Sequence, residues 1–196
     1  MKLLPVIIAC SLIPVGFLQA ADKPNLTPEG AFSSPESIVV APQVTPGAWT
    51  FNPGDYAAHG IEYAIQSKEG VSYFRVTATQ SGATWIHTIV DLPTPAPASI
   101  TFSFRVRTTE LTKQAEPGPE WYSAQVQVYF FGKDKSQPLK HEILYRTVLN
   151  SGDWVEVEKP TPVPAGATSF QVQAGLWGYL GHFDLANFKS TPKADL

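Results

Sequence analysis

The chain has 196 residues, a formal net charge of −3 and a sequence pI near 5.8. Charged residues make up 16% of it, below the ~25% usual for soluble domains, whereas proline and glycine are plentiful at 18 and 14 residues. No block of basic residues is present, which argues against a nucleic-acid partner. The composition is typical of short strands joined by tight turns.

Residues 1–21 are predicted to be an export signal. Lys2 supplies a positive charge, residues 3–18 are mostly apolar, and Ala20 and Ala21 offer small residues for cleavage. A membrane anchor is the alternative, but a span needs ~20 apolar residues and prolines interrupt this run. We expect residues 22–196 to be one domain that is secreted or periplasmic, with no membrane span in the mature form.

Cys10 is the only cysteine of the chain. The residues that lead up to it resemble a lipoprotein signal, so lipidation of Cys10 is the alternative to cleavage near Ala20. If cleavage follows Ala20 or Ala21, the mature protein has no cysteine. Disulfides and thiol nucleophiles are then excluded.

Beyond the leader, short segments in which apolar and polar residues alternate recur along the chain. The predicted strands are Ile38–Val40, Trp49–Phe51, Ile61–Ile65, Val71–Thr79, Trp85–Leu92, Ile100–Arg107, Trp121–Phe131, Leu139–Leu149, Trp154–Glu158, Phe170–Trp177 and His182–Phe188. Turn signals such as those at 52–55 and 150–153 separate them. No amphipathic helix, internal repeat or linker interrupts the series, so the predicted fold class is all-β, a sandwich or a barrel.

Three of these strands place polar side chains on one side and apolar residues on the other. In the strand at 121–131, the apolar side carries Ala124, Val126, Val128 and Phe130, and the opposite side carries Trp121, Ser123, Gln125, Gln127 and Tyr129. The strand at 170–177 presents Gln171, Gln173 and Trp177 in the same way, and the strand at 100–107 presents Arg105 and Arg107. If the three strands share a sheet, these side chains merge into one polar face.

Such a face suits a ligand that is rich in hydroxyl groups. Aromatic rings stack on the apolar face of a pyranose, while amides and guanidinium groups bond its hydroxyls. A polysaccharide or oligosaccharide is therefore the expected partner. The candidate carbohydrate-binding residues are Arg105, Arg107, Trp121, Gln125, Gln127, Tyr129, Gln171, Gln173, Trp177 and Trp85. The amides could instead belong to a solvated sheet face. Each aromatic ring could instead pack within the fold.

Several motifs together resemble a known group of domains. They are an opening segment at Asn25–Phe32, a tryptophan-containing turn at Gly152–Trp154, a proline-glycine loop at Val163–Ala167 and a closing strand at Gly181–Phe188. In order and spacing they resemble the jelly-roll carbohydrate-binding modules of bacterial cellulases and xylanases, which belong to the galactose-binding-like superfamily. The resemblance implies a β-sandwich jelly roll that binds polysaccharide without cleaving it, and we expect a monomer.

Many modules of this group hold a structural calcium ion between the first and last strands. Ser33 and Leu185 stand where the group often has acidic residues, so the resemblance leaves Asp184 as the best candidate ligand. Calcium takes several oxygen ligands, usually including carboxylates. The alternative is that Asp184 caps a turn or forms a surface ion pair. No other cofactor is expected, and the scattered histidines predict no zinc site.

Three other functions stay open. Glu156 and Glu158 lie on one side of a strand, as the paired carboxylates of a glycoside hydrolase could, although they also suit solvated edge charges. The segments at 105–111 and 125–127 resemble parts of alginate-lyase-like sandwiches, but Gln127 stands where such a lyase has its histidine. A cell-surface structural or adhesion domain without a sugar site is the third possibility.

Overall fold

The structure, a computed structural model, describes residues 25–28, 30–34, 36, 38–40, 47–51, 60–80, 83–113, 120 and 122–193. The predicted export signal at 1–21, with Cys10 in it, and Trp121 lie outside these residues. The strands are β1 (Ile38–Val40), β2 (Trp49–Phe51), β3 (Ile61–Lys68), β4 (Val71–Ala78), β5 (Ala83–Asp91), β6 (Ser99–Lys113), β7 (Ser123–Phe131), β8 (Pro138–Thr147), β9 (Val155–Pro162), β10 (Ser169–Trp177) and β11 (Tyr179–Lys193).

The strands form two sheets that pack into a sandwich. Sheet I has the order β1-β2-β5-β10-β7-β8, and sheet II has the order β3-β4-β11-β6-β9. The short pair β1 and β2 is parallel, and the other pairings are antiparallel. Strands that are distant in sequence become neighbours, because the chain crosses repeatedly between the sheets as in a jelly roll. The predicted all-β jelly-roll sandwich is confirmed.

The core lies between the sheets and is built from the apolar sides of the alternating strands. In β7, Ala124, Val126, Val128 and Phe130 are completely buried, as their alternation predicts. Sheet II contributes Phe102, Phe104 and Val106 of β6, which are at most 3% exposed. Burying each large apolar side chain contributes roughly 1.5–3 kcal/mol. The inner faces therefore hold the sandwich together, and the polar sides point away from it.

The prediction that three polar-sided strands share one sheet is wrong for β6. Strands β7 and β10 do pair, in a register that runs from Ser169 opposite Phe131 to Trp177 opposite Ser123. Strand β6 lies in sheet II between β11 and β9. Arg105 and Arg107 are therefore on the opposite side of the sandwich from the glutamines. Alternation within a strand fixes which side is buried but carries no information about which sheet the strand joins.

Several strands continue beyond their predicted ends. Strand β9 runs through Pro160 to Pro162, past its predicted end at Glu158. The prolines are tolerated because β9 is an edge strand of sheet II. A proline nitrogen on the free side of an edge strand removes no hydrogen bond between strands. Strands β6 and β11 extend to Lys113 and Lys193 because they pair with each other along most of their length.

The opening segment lies against the closing strand. The backbone N–H of Leu26 donates to the carbonyl of Ser190 at 2.9 Å, and the Asn25 side-chain oxygen accepts from the Ser190 N–H at 2.8 Å. Gly30 forms a bridge to Phe188, so close that a Cβ on Gly30 would lie 2.2 Å from the Phe188 carbonyl oxygen. The first and last segments of the domain are thus joined by direct hydrogen bonds.

Candidate functional site

The outer face of sheet I carries a depression of about 340 Å³, which we call the groove. It crosses the four adjacent strands β5, β10, β7 and β8. The residues that line it are Trp85, Gln125, Gln127, Tyr129, His141, Ile143, Gln173 and Trp177. All of them except His141 and Ile143 are among the sequence-predicted site residues, and they come from strands that are distant in sequence.

The strand register explains why the amides meet. Gln173 of β10 stands directly opposite Gln127 of β7, and Gly175 stands opposite Gln125. Opposed residues of an antiparallel pair project from the same face, with their Cβ atoms about 5 Å apart. Gln171 projects from this face opposite Tyr129, next to the groove lining. The alternation of the two strands and their shared register therefore assemble the polar floor.

One end of the groove is formed by two stacked tryptophans. The Trp85 and Trp177 rings lie 5.6 Å apart between centroids and are inclined by only 10°. Trp177 is buried, whereas Trp85 is half-buried. Trp85 stands opposite Gly175, where a Cβ would lie 2.1 Å from the Thr84 carbonyl oxygen and 2.7 Å from the Trp85 Cα. The glycine permits this close approach of β5 and β10, and Trp177 supports the more accessible ring of Trp85.

A chain of side-chain hydrogen bonds crosses the groove floor. The Gln127 Nε2 donates to the Gln173 Oε1 at 2.9 Å. The Gln127 Oε1 lies 2.9 Å from the His141 Nε2, a hydrogen bond that requires the tautomer with its proton on Nε2. The His141 ring is stacked on Tyr129 with centroids 4.5 Å apart and an angle of 11°. The other end of the groove is therefore also built on a ring pair.

The groove is uncharged near neutral pH. None of the eight described lining residues is an aspartate, glutamate, lysine or arginine. Burial lowers the pKa of His141, although the nearby Glu142 carboxylate opposes this shift, and burial raises the pKa of Tyr129. Both rings are then neutral at pH 7. The floor offers hydrogen bonds and flat apolar surfaces without an electrostatic preference.

His87 is a buried histidine beside this floor that the sequence did not single out. It lies on β5 directly opposite Gln173 and is 7% exposed. Its Nε2 has no hydrogen-bond partner among the residues that the structure describes. Burial lowers its pKa from 6.5 to about 4, because the charged form is poorly solvated there. His87 is thus neutral over most of the physiological pH range.

The two predicted arginines belong to a separate cluster on the outer face of sheet II. Asp184 of β11 accepts hydrogen bonds from Arg75 at 2.7 and 2.8 Å and from Arg107 at 2.8 Å. The hydrogen bonds to Asp184 are the main cause of the raised pKa of Arg75. The Arg107 guanidinium also lies 4.7 Å from the Trp154 ring, and Arg105 lies 5.3 Å from it. These arginines hold sheet II together rather than lining the groove.

The residues at the proposed calcium position do not fit that ion. The Asp184 side chain is 1% exposed, and both of its oxygens are taken by guanidinium groups, which leaves no free carboxylate for a cation. The Asn25 side-chain oxygen, at the junction of the first and last segments, already accepts from Ser190 and Thr27. Across the described part of the chain, no three histidine, cysteine, aspartate or glutamate side chains are grouped to hold a metal. Asp184 is therefore no longer a calcium candidate.

Glu156 and Glu158 line a second depression, of about 570 Å³, on sheet II. Its other charged residues are Arg105 and Lys189, and Arg105 Nε lies 3.6 Å from the Glu156 carboxylate. The glutamates thus stand among cations, and the aromatic pairs of the groove are not part of this lining. The arrangement favours surface ion pairing, as the alternative interpretation of these glutamates predicts.

Two groove residues, His141 and Ile143, are absent from the sequence-predicted set. They alternate on β8, which signals a shared side, but β8 pairs with β7 through register shifts next to Gln127 and Phe131. Such bulges move side chains relative to the neighbouring strand. Only the paired structure therefore shows that they face the amides.

Within the residues that the structure describes, no helix is long and apolar enough to cross a bilayer.

No family model matches the sequence, and no curated protein is similar to it at a significant level. Solved structures do match the fold. A CBM4 structure matches with a TM-score of 0.55 and 16% identity, over 84% of this chain and 97% of that one. The C-terminal family 22 carbohydrate-binding module of Clostridium thermocellum Xyn10B matches with a TM-score of 0.55 and 12% identity, over 86% and 94%.

A further match is the enzymatically active domain of tailspike protein 4 from bacteriophage CBA120. It has a TM-score of 0.50 and 11% identity, and it covers 68% of this chain but only 18% of that one. The two modules, in contrast, are matched over nearly their whole length. This chain therefore has the β-sandwich jelly-roll fold of the family 4 and family 22 carbohydrate-binding modules, as its sequence motifs predicted.

Proposed function

We propose that this chain is a secreted, non-catalytic module that binds a polysaccharide or oligosaccharide in the groove. The observation that carries the proposal is the combination of the Trp85 ring, supported from behind by Trp177, with a floor of hydrogen-bonding amides. A pyranose has an apolar face that stacks on such a ring and hydroxyls that bond to amides. The matched family 22 module is described as binding its ligand in a cleft, which supports the same role for this groove.

The composition of the groove favours binding over hydrolysis. A glycoside hydrolase needs two carboxyl groups that flank the scissile bond, one as an acid and one as a base or nucleophile. The eight described lining residues include no carboxylate. A sugar held on Trp85 and the amides would therefore meet no hydrolytic pair.

A polysaccharide lyase is the second candidate, because the groove brings a tyrosine and a histidine together. Tyr129 and His141 are stacked, and His141 lies 2.9 Å from the Gln127 side chain. A tyrosine and a histidine can exchange protons at a sugar carbon. The His141 Nε2, however, is engaged by Gln127, which makes binding the better-supported function.

The test is affinity electrophoresis of the mature chain in gels that contain a panel of soluble polysaccharides. We expect retardation by at least one of them and no new reducing ends or unsaturated products. Trp85→Ala should weaken the binding by at least about tenfold, because the stacking platform is lost. Trp154→Ala is the matched control, since Trp154 packs on the arginines of sheet II.

Different outcomes separate the candidates. New double bonds in the product would support the lyase, and retardation that Trp154→Ala abolishes but Trp85→Ala leaves intact would move the site to sheet II. If no polysaccharide retards the protein, the remaining candidate is a structural or adhesion domain without a sugar site. Export is part of the proposal. It would be supported if the measured mass of the intact protein equals that of a chain cleaved after Ala20 or Ala21.

A further inference from the structure

The amide chain across the groove floor has a direction, and the direction decides what the floor offers to a ligand. Gln127 faces His141 with its oxygen and Gln173 with its nitrogen. The Gln173 Oε1 thereby accepts one hydrogen bond, while both N–H bonds of the Gln173 Nε2 remain outside this chain of hydrogen bonds. If both amide groups were rotated by 180°, each oxygen and nitrogen would exchange places and every donor would become an acceptor. Gln173 would then offer its oxygen to the ligand instead.

The protonation of His141 distinguishes the two directions. The direction described above requires that the His141 Nε2 carries a hydrogen and donates a hydrogen bond to the Gln127 Oε1. In the reverse direction this nitrogen would have to accept from the Gln127 amide, which requires the other tautomer. An imidazole nitrogen that donates in the neutral ring also donates in the charged ring, whereas one that accepts loses that ability on protonation.

We propose that His141 is a positioning residue that fixes the direction of these hydrogen bonds, so that Gln173 presents its NH₂ group to the ligand. The groove then recognises acceptor oxygens of a sugar, such as a ring oxygen, a glycosidic oxygen or a hydroxyl lone pair. This inference rests on the proposed function, because it specifies how the same groove meets its glycan.

The surroundings of His141 hold the ring in place for this role. The Tyr129 ring of β7 stacks on it, and Glu142 follows it on β8. Glu142 is itself paired with Lys140 at 3.3 Å and with Lys159 of β9 at 3.1 Å, and these pairings lower its pKa. Tyr129 stays neutral and Glu142 stays charged between about pH 5 and pH 8. A further titratable group at the floor is His87 of β5, which lies opposite Gln173.

The first test needs no glycan. Ring ¹⁵N chemical shifts of His141 in the labelled, ligand-free protein report its tautomer at a pH where the ring is neutral. We expect the proton on Nε2. A proton on Nδ1 would overturn the inference, because Gln127 would then have to donate to the ring. This measurement decides the direction even if every polysaccharide in the panel fails to bind.

The second test measures glycan affinity by titration calorimetry. His141→Phe keeps a ring against Tyr129 but removes the donor, and we expect it to weaken binding by about fivefold, the value of one hydrogen bond. His141→Gln restores an N–H but also offers an oxygen, so its amide leaves the direction open and should recover binding only in part. His182→Phe is the matched control, since His182 lies on sheet II and contacts Thr77.

The outcomes distinguish this inference from the function on which it rests. Wild-type affinity in His141→Phe would contradict the positioning role while leaving the groove as the binding site. The affinity of the unchanged protein should also vary by less than about twofold through the titration of His141, because Nε2 keeps its proton. A steep loss on acidification that remains in His87→Leu, which lacks the buried histidine opposite Gln173, would show that the nitrogen accepts and would overturn the inference.

Discussion

At the scale of the residue, His87 makes the stability of the domain depend on pH. Its pKa is about 4 in the folded protein against 6.5 in a free side chain, because it is buried. The unfolded chain therefore binds more protons between these values, so stability is fully present above pH 6.5 and falls as the pH drops toward 4. Between pH 7 and pH 4.5 we expect the protonation of His87 to lower the free energy of unfolding by roughly 2 kcal/mol.

The measurement is chemical denaturation of His87→Leu and of the unchanged chain at both pH values. The variant should lose less stability on acidification by about that amount. Gln171→Leu is the control, because it changes a residue on the same face that does not titrate. Equal acid sensitivity in His87→Leu and the unchanged chain would show that His87 is solvated or protonated in the fold.

At the scale of the element, β10 depends on Gly175 for its approach to β5. A methyl group there would lie 2.1 Å from the Thr84 carbonyl oxygen, which belongs to the backbone of β5 and cannot rotate away. Gly175→Ala should destabilise the domain by about 1–3 kcal/mol, because the strands must separate. It should also weaken glycan binding, since Trp85 is carried by the displaced strand. Urea denaturation and calorimetry check the two effects.

Gly132→Ala is the matched control for this strand effect. A Cβ on Gly132 would lie 3.5 Å from its nearest neighbours, which is an ordinary contact distance. Its stability should stay within about 0.5 kcal/mol of the unchanged protein. If Gly175→Ala is as stable as Gly132→Ala, the close approach of β10 and β5 is not needed for the sheet.

At the scale of the whole molecule, sheet II is held by an ion cluster that spans three strands. Asp184 on β11 joins Arg75 on β4 to Arg107 on β6. Because the guanidinium groups already neutralise this buried carboxylate, adding calcium or a chelator should change the Tm by less than about 1 °C. Thermal melts in EDTA and in calcium chloride check this expectation.

Asp184→Asn is the positive control for these thermal melts, because it removes the anion of the ion cluster. It leaves two arginines without their shared anion, and removing one partner of a buried ion pair typically costs about 3–5 kcal/mol. We therefore expect a clearly lower Tm. A large calcium-dependent rise in the Tm of the unchanged chain would mean that a metal site exists after all.

The alternation of single strands was enough to predict most of the groove. Gln125, Gln127 and Tyr129 of β7, and Gln173 and Trp177 of β10, lie on the solvent side that their apolar neighbours imply. The series of alternating strands, together with the order and spacing of the four motifs, was enough to predict the fold. These features are local, because a side chain's position within its own strand determines whether it faces the core.

The amino-acid sequence by itself thus determined the fold class, the buried sides of β6, β7 and β10, and the amide-rich character of the candidate site. Only the tertiary structure showed that β6 and its arginines lie in the other sheet. It also showed that Asp184 pairs with Arg75 and Arg107, and that His141 lies within hydrogen-bond distance of Gln127. The physical reason is that strand pairing joins residues far apart in the chain. Burial pattern constrains each strand separately, whereas partner, register and bulges are settled by the packing of all the strands together.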